Sequence, residues 1–314
     1  RQCAGGVAEG LDVGKHAKFW ARHLAMLPGA YVSGDDQRYV TTRSLRLDRR
    51  MTLAYFCLGG LDLLAQREKI VGGEQRTQAI NWVYAQQIRA CPRLIVVTDG
   101  YSFRDGGGFR GSPAVSERAR LADGSVQGGG HLTMTYTALL NLGILRDDYS
   151  RLDRASLRQH VRSLQQPDGR FVFVYVCDRL TECSFRAAHG QLDCDVRFTY
   201  CAFAIAYMLD DWDILDLDAA VSFLLRCRRF DGAFAQRPDQ ESHGGSTYCV
   251  VAALCLAGRL HVLSEPERTV RWLLARQQNG GGFQGRIEKD QDVCYSFWCG
   301  AALHVGDSTE IGGS

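Results

Sequence analysis

The sequence predicts an all-α fold built from helix pairs, and three observations carry that expectation. Almost wholly apolar stretches opened by a tyrosine recur at Tyr55, Tyr136, Tyr200, Tyr248 and Tyr295. Charged amphipathic stretches over 152–166, 215–229 and 264–278 precede the last three, and each runs into a turn, DGRF, DGAF or GGGF, whose glycines end a helix. No strand-like alternation of any length lies between them. An amphipathic helix needs cover on one side only, whereas a helix apolar all round needs it on more than one. Stacked pairs of this kind either spiral as a solenoid or close into a ring.

Taken in order, Arg43, Arg46, Arg49 and Arg50 form the only basic cluster and read as a solvated approach to the first apolar helix rather than a phosphate grip. That helix, AYFCLGGLDLL, is followed by the second, TYTALLNLGIL, and then by the amphipathic stretch 152–166. Residues 172–194 carry Cys177, Cys183 and Cys194 at a spacing that fits no standard zinc motif, and read as a surface insertion or a gene-model artefact. Three apolar helices alternate with amphipathic ones after that. Asp is a favoured N-cap, so Asp292 is expected to open the last of them, Val293 to Leu303.

The 314 residues, 46% of them hydrophobic, can bury a sizeable core, read as a single domain over 1–306 with a polar tail at 307–314. The first residue is Arg rather than Met, and the chain is expected to be incomplete. A formal net charge of +2 gives no global field for nucleic acid or an acidic membrane surface. Of the twelve cysteines, Cys57, Cys201, Cys249, Cys255 and Cys299 lie inside apolar helical runs, where Cys acts as a small hydrophobe; a reducing, cytoplasmic setting is expected. The longest apolar runs fall short of the roughly 18 residues that a membrane-spanning helix needs, so the chain is not expected to be an integral membrane protein.

The chemistry is concentrated late in the chain. On one regular helix Asp292 and Cys294 would point about 200° apart, so they can share a metal only if the Asp precedes the first turn. A carboxylate oxygen and a thiolate make half of a zinc site. His243-Gly244-Gly245, Arg286 and Lys289 add anion-binding types: a planar fork, a point charge, and glycines that permit close backbone approach to a ligand.

ESHGGSTY at 241–248, QQNGGGFQGR at 277–286, DVCYSFW at 292–298, DVRFTYCAFAIAYML at 195–209 and GHLTMTYTALL at 130–140 together resemble the β subunits of the protein prenyltransferases, over roughly residues 15 to 300. Within that family the chain is most similar to the type I geranylgeranyltransferase β subunit. The resemblance implies an α/α toroid and an enzyme that moves a geranylgeranyl group from geranylgeranyl diphosphate to the cysteine of a C-terminal CaaX-type motif in targets such as small GTPases. It also implies a heterodimer with a prenyltransferase α subunit and a zinc ion that holds the substrate thiol as thiolate. Asp292 and Cys294 would be metal ligands. His243, Gly244, Gly245, Arg286, Lys289 and Tyr295 would face the diphosphate, where charge accumulates as the carbon–oxygen bond breaks. Thr52, Tyr55, Phe56, Tyr136, Arg197, Tyr200 and Trp298 would line the isoprenoid pocket, although repeated aromatics also commonly pack core. Farnesyltransferases resembling this chain carry Trp where Thr52 stands, and the smaller side chain leaves room for the 20-carbon group.

Departures from the pattern are expected to matter. The family's third zinc ligand, a His, and the Lys that assists the diphosphate in type I enzymes should both lie past Ser314, and His304 is about 15 Å along the helix from Cys294. Three other readings stay open: a farnesyl- or Rab-type β subunit, a noncatalytic isoform, and a glycan-processing toroid, whose chemistry would need two carboxylates flanking a sugar bond.

Overall fold

The computed structural model describes residues 11–25, 50–89, 94–96, 102–104, 107–113, 119–120, 126–127, 130–165, 185–188 and 194–308. Helices dominate: α1 Val13–Ala25, α2 Arg50–Leu63, α3 Arg67–Ile70, α4 Gly73–Tyr84, α5 Leu132–Ile144, α6 Arg154–Leu164, α7 Val196–Leu209, α8 Leu217–Arg226, α9 Gly244–Leu256, α10 Pro266–Leu274 and α11 Val293–Ser308. The fold is all-α, as the sequence predicts. Sheet is almost absent among the described residues: two short antiparallel hairpins are present, β1 Leu94–Val96 with β2 Ser102–Arg104 and β3 Ala119–Arg120 with β4 Val126–Gln127. At two or three residues each they are too short for alternation to register in sequence.

The chain divides into two compact units, 1–91 with 106–154, and 92–105 with 155–314. In the first, α2 packs against α1 and α5. The buried Asn141 amide donates to the Met51 carbonyl at 3.1 Å, pinning α5 to the start of α2. Arg76 of α4 donates to the Leu145 carbonyl at 2.6 Å and Tyr84 to Asp147 at 2.5 Å, tying the end of α5 to the amphipathic helix before it. Arg50 is 7% exposed, so the sequence reading of a solvated arginine fails here, because this residue opens α2 within the core. Arg43, Arg46 and Arg49 lie outside the described residues.

In the second unit α9 packs between α7 and α11, while α8 lies on α7 and α10 on α11. The division follows the sequence. Nine residues of α9 are buried, whereas α8 and α10 bury one face: Ala220, Val221, Phe223 and Leu224 in the first, Thr269, Trp272 and Leu273 in the second. Trp272 and Leu273 close over Cys299 and Ala302 of α11. Burying a face of that size is the main stabilising term, each large side chain contributing roughly 1.5–3 kcal/mol.

One connection recurs. After an amphipathic helix a residue forms an isolated bridge to a phenylalanine further on: Gln87 with Phe109, Gln165 with Phe185, Arg228 with Phe234, and Gln277 with Phe283. Between Arg228 and Phe234 the chain turns at Gly232 with φ 95°, a conformation a side chain would strain, and a Cβ there would stand 2.6 Å from Cβ of Arg268. The Phe carbonyl then accepts the backbone N–H of the residue that caps the next apolar helix: Phe109 from His131 at 3.0 Å, Phe234 from His243 at 3.0 Å, and Phe283 from Asp292 at 3.1 Å. The DGRF turn expected at 168–171 lies outside the described residues, as do Cys177 and Cys183, and Phe185 takes the place in its repeat that Phe234 takes in the next. At the other end α11 runs to Ser308, past residue 306, and 309–314 lie outside the described residues.

Candidate active site

Four apolar helices open on a side chain that accepts their own first N–H groups, two His and two Asp. His131 Nδ1 accepts from Thr133 N at 3.1 Å, Asp195 from Arg197 N at 2.9 Å, His243 Nδ1 from Gly245 N at 3.1 Å and Ser246 N at 3.3 Å, and Asp292 from Cys294 N at 2.9 Å. Each satisfies donors that a helix start leaves without partners. The caps also fix register. Tyr136, Tyr200 and Tyr248 stand five residues after their caps, and that place in α11 belongs to Phe297, not Tyr295. The repeat reading that aligned Tyr295 with the other tyrosines is therefore two residues out. Aromatic residues at both 295 and 297 hide the slip in sequence.

That correction sorts the aromatics of the second unit into two groups. Tyr200, Tyr248, Phe297 and Trp298 form a continuous face: Tyr200 and Tyr248 have ring centroids 5.7 Å apart, Tyr248 and Phe297 5.5 Å, and Tyr248 and Trp298 5.0 Å. Phe297 is 57% exposed, an accessible aromatic edge rather than core. Tyr248 and Phe297 are absent from the pocket residues the sequence singles out. The tyrosine repeat is their signal, once read in cap register.

Tyr295 instead faces the loops. Its hydroxyl lies 3.0 Å from His243 Nε2. Because His243 Nδ1 accepts two backbone N–H groups it carries no proton, so Nε2 holds the ring proton and the Tyr295 oxygen accepts it. Burial, and then the Arg286 charge, push His243 below the ordinary histidine range, so the ring is neutral near pH 7. Burial pushes the Tyr295 phenol up and keeps its proton. The hydroxyl hydrogen is thus left to donate to a further acceptor. His243 orients a donor here and supplies no cation.

Gly285 makes this placement possible. A Cβ there would lie 2.0 Å from Tyr295 Cζ, so any other residue would displace the ring. The Gly285 carbonyl accepts the Gly244 N–H at 2.8 Å, which joins the loop before α9 to the loop before α11. Arg286 and Lys289 follow on the second loop, both exposed. Arg286 donates to Glu241 at 3.1 Å, and the Lys289 N–H donates to the buried Gln284 side chain at 3.2 Å. His243, Gly244, Gly245, Arg286, Lys289 and Tyr295 therefore come together around two linked loops.

Asp292 and Cys294 are exposed at the start of α11. The Cys294 N–H, bonded to the Asp292 carboxylate, holds that carboxyl below its usual range, while the slight desolvation of its sulfur and then Asp292 push the Cys294 thiol up. Among the described residues no group of three His, Cys, Asp or Glu side chains converges to hold a metal ion. Arg197 is paired. Its Nε and Nη2 donate to the two oxygens of the buried Asp195 at 3.0 and 2.7 Å, and the Gln236 amide oxygen accepts from both nitrogens at 2.7 Å. In the first unit Thr52 donates to Met134 Sδ at 3.7 Å, the rings of Tyr55 and Phe56 are 5.7 Å apart, and Tyr136 is half-buried on α5. All eight cysteines among the described residues are free, and no helix there is long and apolar enough to cross a membrane.

Residues 11–311 match the prenyltransferase alpha-alpha toroid domain. The chain is 37% identical over 272 residues to the geranylgeranyl transferase type-1 subunit beta of Arabidopsis thaliana, covering 82% of this chain and 65% of that one, so it spans just under two thirds of that relative's length. It is 33% identical over 306 residues to the protein of the same name from Dictyostelium discoideum, covering 95% and 77%. The protein farnesyltransferase subunit beta of Pisum sativum is 34% identical over 55% of this chain and 38% of its own. In fold, the Candida albicans protein geranylgeranyltransferase-I complexed with GGPP superposes with a TM-score of 0.68 at 24% identity, covering 95% of this chain and 78% of that one. The chain belongs to the prenyltransferase α/α toroid family, among the relatives of the geranylgeranyl transferase type-1 β subunits.

Proposed function

We propose that this chain transfers a geranylgeranyl group from geranylgeranyl diphosphate to the cysteine of a C-terminal CaaX-type motif, as a cytoplasmic β subunit working with a prenyltransferase α subunit. The observation that carries the reading is the joined pair of loops that bears Arg286 and Lys289 and that Tyr295 of α11 faces, in a chain whose relatives are named for this activity. In the transfer, a thiolate sulfur forms a bond to C1 of the isoprenoid, the C1–oxygen bond breaks, and its electron pair leaves on the diphosphate. Arg286 and Lys289 offset that growing charge, and the Tyr295 hydroxyl, freed for donation by His243, adds a hydrogen bond. The aromatic face of Tyr200, Tyr248, Phe297 and Trp298 offers an apolar wall to the isoprenoid.

Zinc is the metal the family implies, and Asp292 and Cys294 are the donors we assign to it. The described residues fit half of a tetrahedral site and no more, since no third donor joins them.

The test supplies the chain and an α subunit with excess zinc, a peptide ending in a CaaX motif with Leu last, and either the 20-carbon or the 15-carbon diphosphate. Transfer of the 20-carbon group in preference is the expected result. Preference for the 15-carbon group would make this a farnesyl-type subunit, and pairing without transfer of either would leave the noncatalytic reading.

A further inference from the structure

Glu241 is a charged group at these loops to which neither the motifs nor the family resemblance gives a role. Its Oε2 accepts from Arg286 Nη1 at 3.1 Å. It stands just before His243, and Arg286 follows Gly285, so the two charges face each other across the Gly244–Gly285 backbone bond. The side chains are 57% and 44% exposed, and an ion pair that open to water adds little to folding stability. Its consequence lies in what it does to Arg286. An anion reaching this guanidinium meets a cation whose nitrogen already has a carboxylate partner, and brings its own negative charge beside Glu241.

We propose that Glu241 is a built-in counter-ion for Arg286: a diphosphate must displace it to bind, and it recaptures the guanidinium when pyrophosphate departs. It is a positioning residue. In the unliganded chain it holds the Arg286 fork at the site, and in the liganded one its repulsion weakens the hold on the diphosphate. A group that favours the empty state over the filled one lowers affinity by that difference and no more. Substrate and product share the diphosphate group, so both are weakened, and release of pyrophosphate is hastened. The inference rests on the reading of these loops as a diphosphate site.

The test titrates the 314-residue chain with inorganic pyrophosphate by calorimetry, comparing the parent with Glu241→Gln, Glu241→Asp and Arg286→Ala. Glu241→Gln keeps the size and an acceptor but removes the charge, and should bind pyrophosphate about fivefold tighter at low ionic strength. Raising the salt should shrink that gain, as screening reaches an exposed charge. Glu241→Asp, which keeps the charge, should stay near the parent, an outcome a purely structural role for the side chain would not produce. Equal or weaker binding by Glu241→Gln, with Arg286→Ala clearly weakened, would overturn the counter-ion and leave the diphosphate site standing. No weakening in Arg286→Ala would instead remove the site reading itself. Melting curves of each variant identify any that fail to fold, and Glu241→Ala then serves in place of the Gln variant.

Discussion

Tyr295 shows how far a side chain's placement can be set by its neighbours. Gly285 leaves the space its ring fills, His243 takes its oxygen lone pair, and Arg286 lies on the same loop. With His243 neutral, the positive charge of the cluster comes from Arg286 and Lys289. Their effect should be greatest as the carbon–oxygen bond breaks. Arg286→Ala and Lys289→Ala are each expected to lower turnover of the 20-carbon substrate by roughly tenfold or more, on the scale of losing a transition-state donor. If single-turnover rates hold and only peptide affinity falls, these side chains belong to the peptide site. Thr52 makes a separate residue-scale case. Its small side chain meets Met134 on α5, and, if the proposed reading holds, an indole there would take up room meant for the longer isoprenoid. Thr52→Trp, paired with an α subunit, should shift preference from the 20-carbon towards the 15-carbon diphosphate. Competition between the two substrates measures this, and an unchanged ratio would place the length gauge elsewhere.

At the scale of the element, a side-chain cap starts each of the four helices α5, α7, α9 and α11, and the cap types divide the labour. Asp195 is 1% exposed and does two things, accepting the Arg197 N–H and holding its guanidinium. Asp195→Ala should cost more than the roughly 1 kcal/mol of an ordinary cap, because it also leaves a guanidinium without its carboxylate. Asp195→Asn keeps a capping oxygen and should recover part of the loss in denaturant midpoint; equal losses in the two variants would show that the cap contributes nothing. Asp292 is the same kind of cap, but exposed, with a cysteine two residues on. Two donors leave zinc's tetrahedral preference half unmet, so the chain should lose zinc on dialysis against a mild chelator. One zinc per chain retained, and lost in Cys294→Ala, would show a third donor supplied from outside the described residues. The apolar helices and the Asp292 cap are legible in sequence because both are local signals, carried within a few residues. The register of α11 is not, since Tyr295 and Phe297 compete for one repeat position and only the cap bond decides. Nor is the partnership of Arg286 with Glu241, or of Arg197 with Gln236, because those pairs join segments far apart in the chain, and nothing in their local sequence marks them.

For the molecule as a whole, the cysteines that sequence reads as small hydrophobes carry a consequence for stability. Burial pushes the Cys57 thiol up to about 11, Cys227 to about 12 and Cys299 to about 11, from an ordinary value of 9.0. Cys227 and Cys299 are fully buried and Cys57 nearly so. Below pH 9 these thiols are protonated in both folded and unfolded chains, and their contribution to stability is fully present. Above it, the unfolded chain releases protons that the fold keeps, so the unfolded state gains and stability falls as pH rises through 9 towards 11 to 12. Other groups titrate in the same window, which makes the informative quantity a difference between chains. Cys227 closes the end of α8, where its N–H reaches the Phe223 and Leu224 carbonyls through the backbone alone, and alanine can keep those bonds. Cys227→Ala should therefore melt lower than the parent at pH 8, from lost packing, and then lose less of its melting temperature between pH 8.5 and about 10.5. Thermal melts under reducing conditions at a series of pH values measure both slopes. Parallel slopes would mean that this thiol ionises as readily in the fold as in the unfolded chain, and that its burial does not control the alkaline limit.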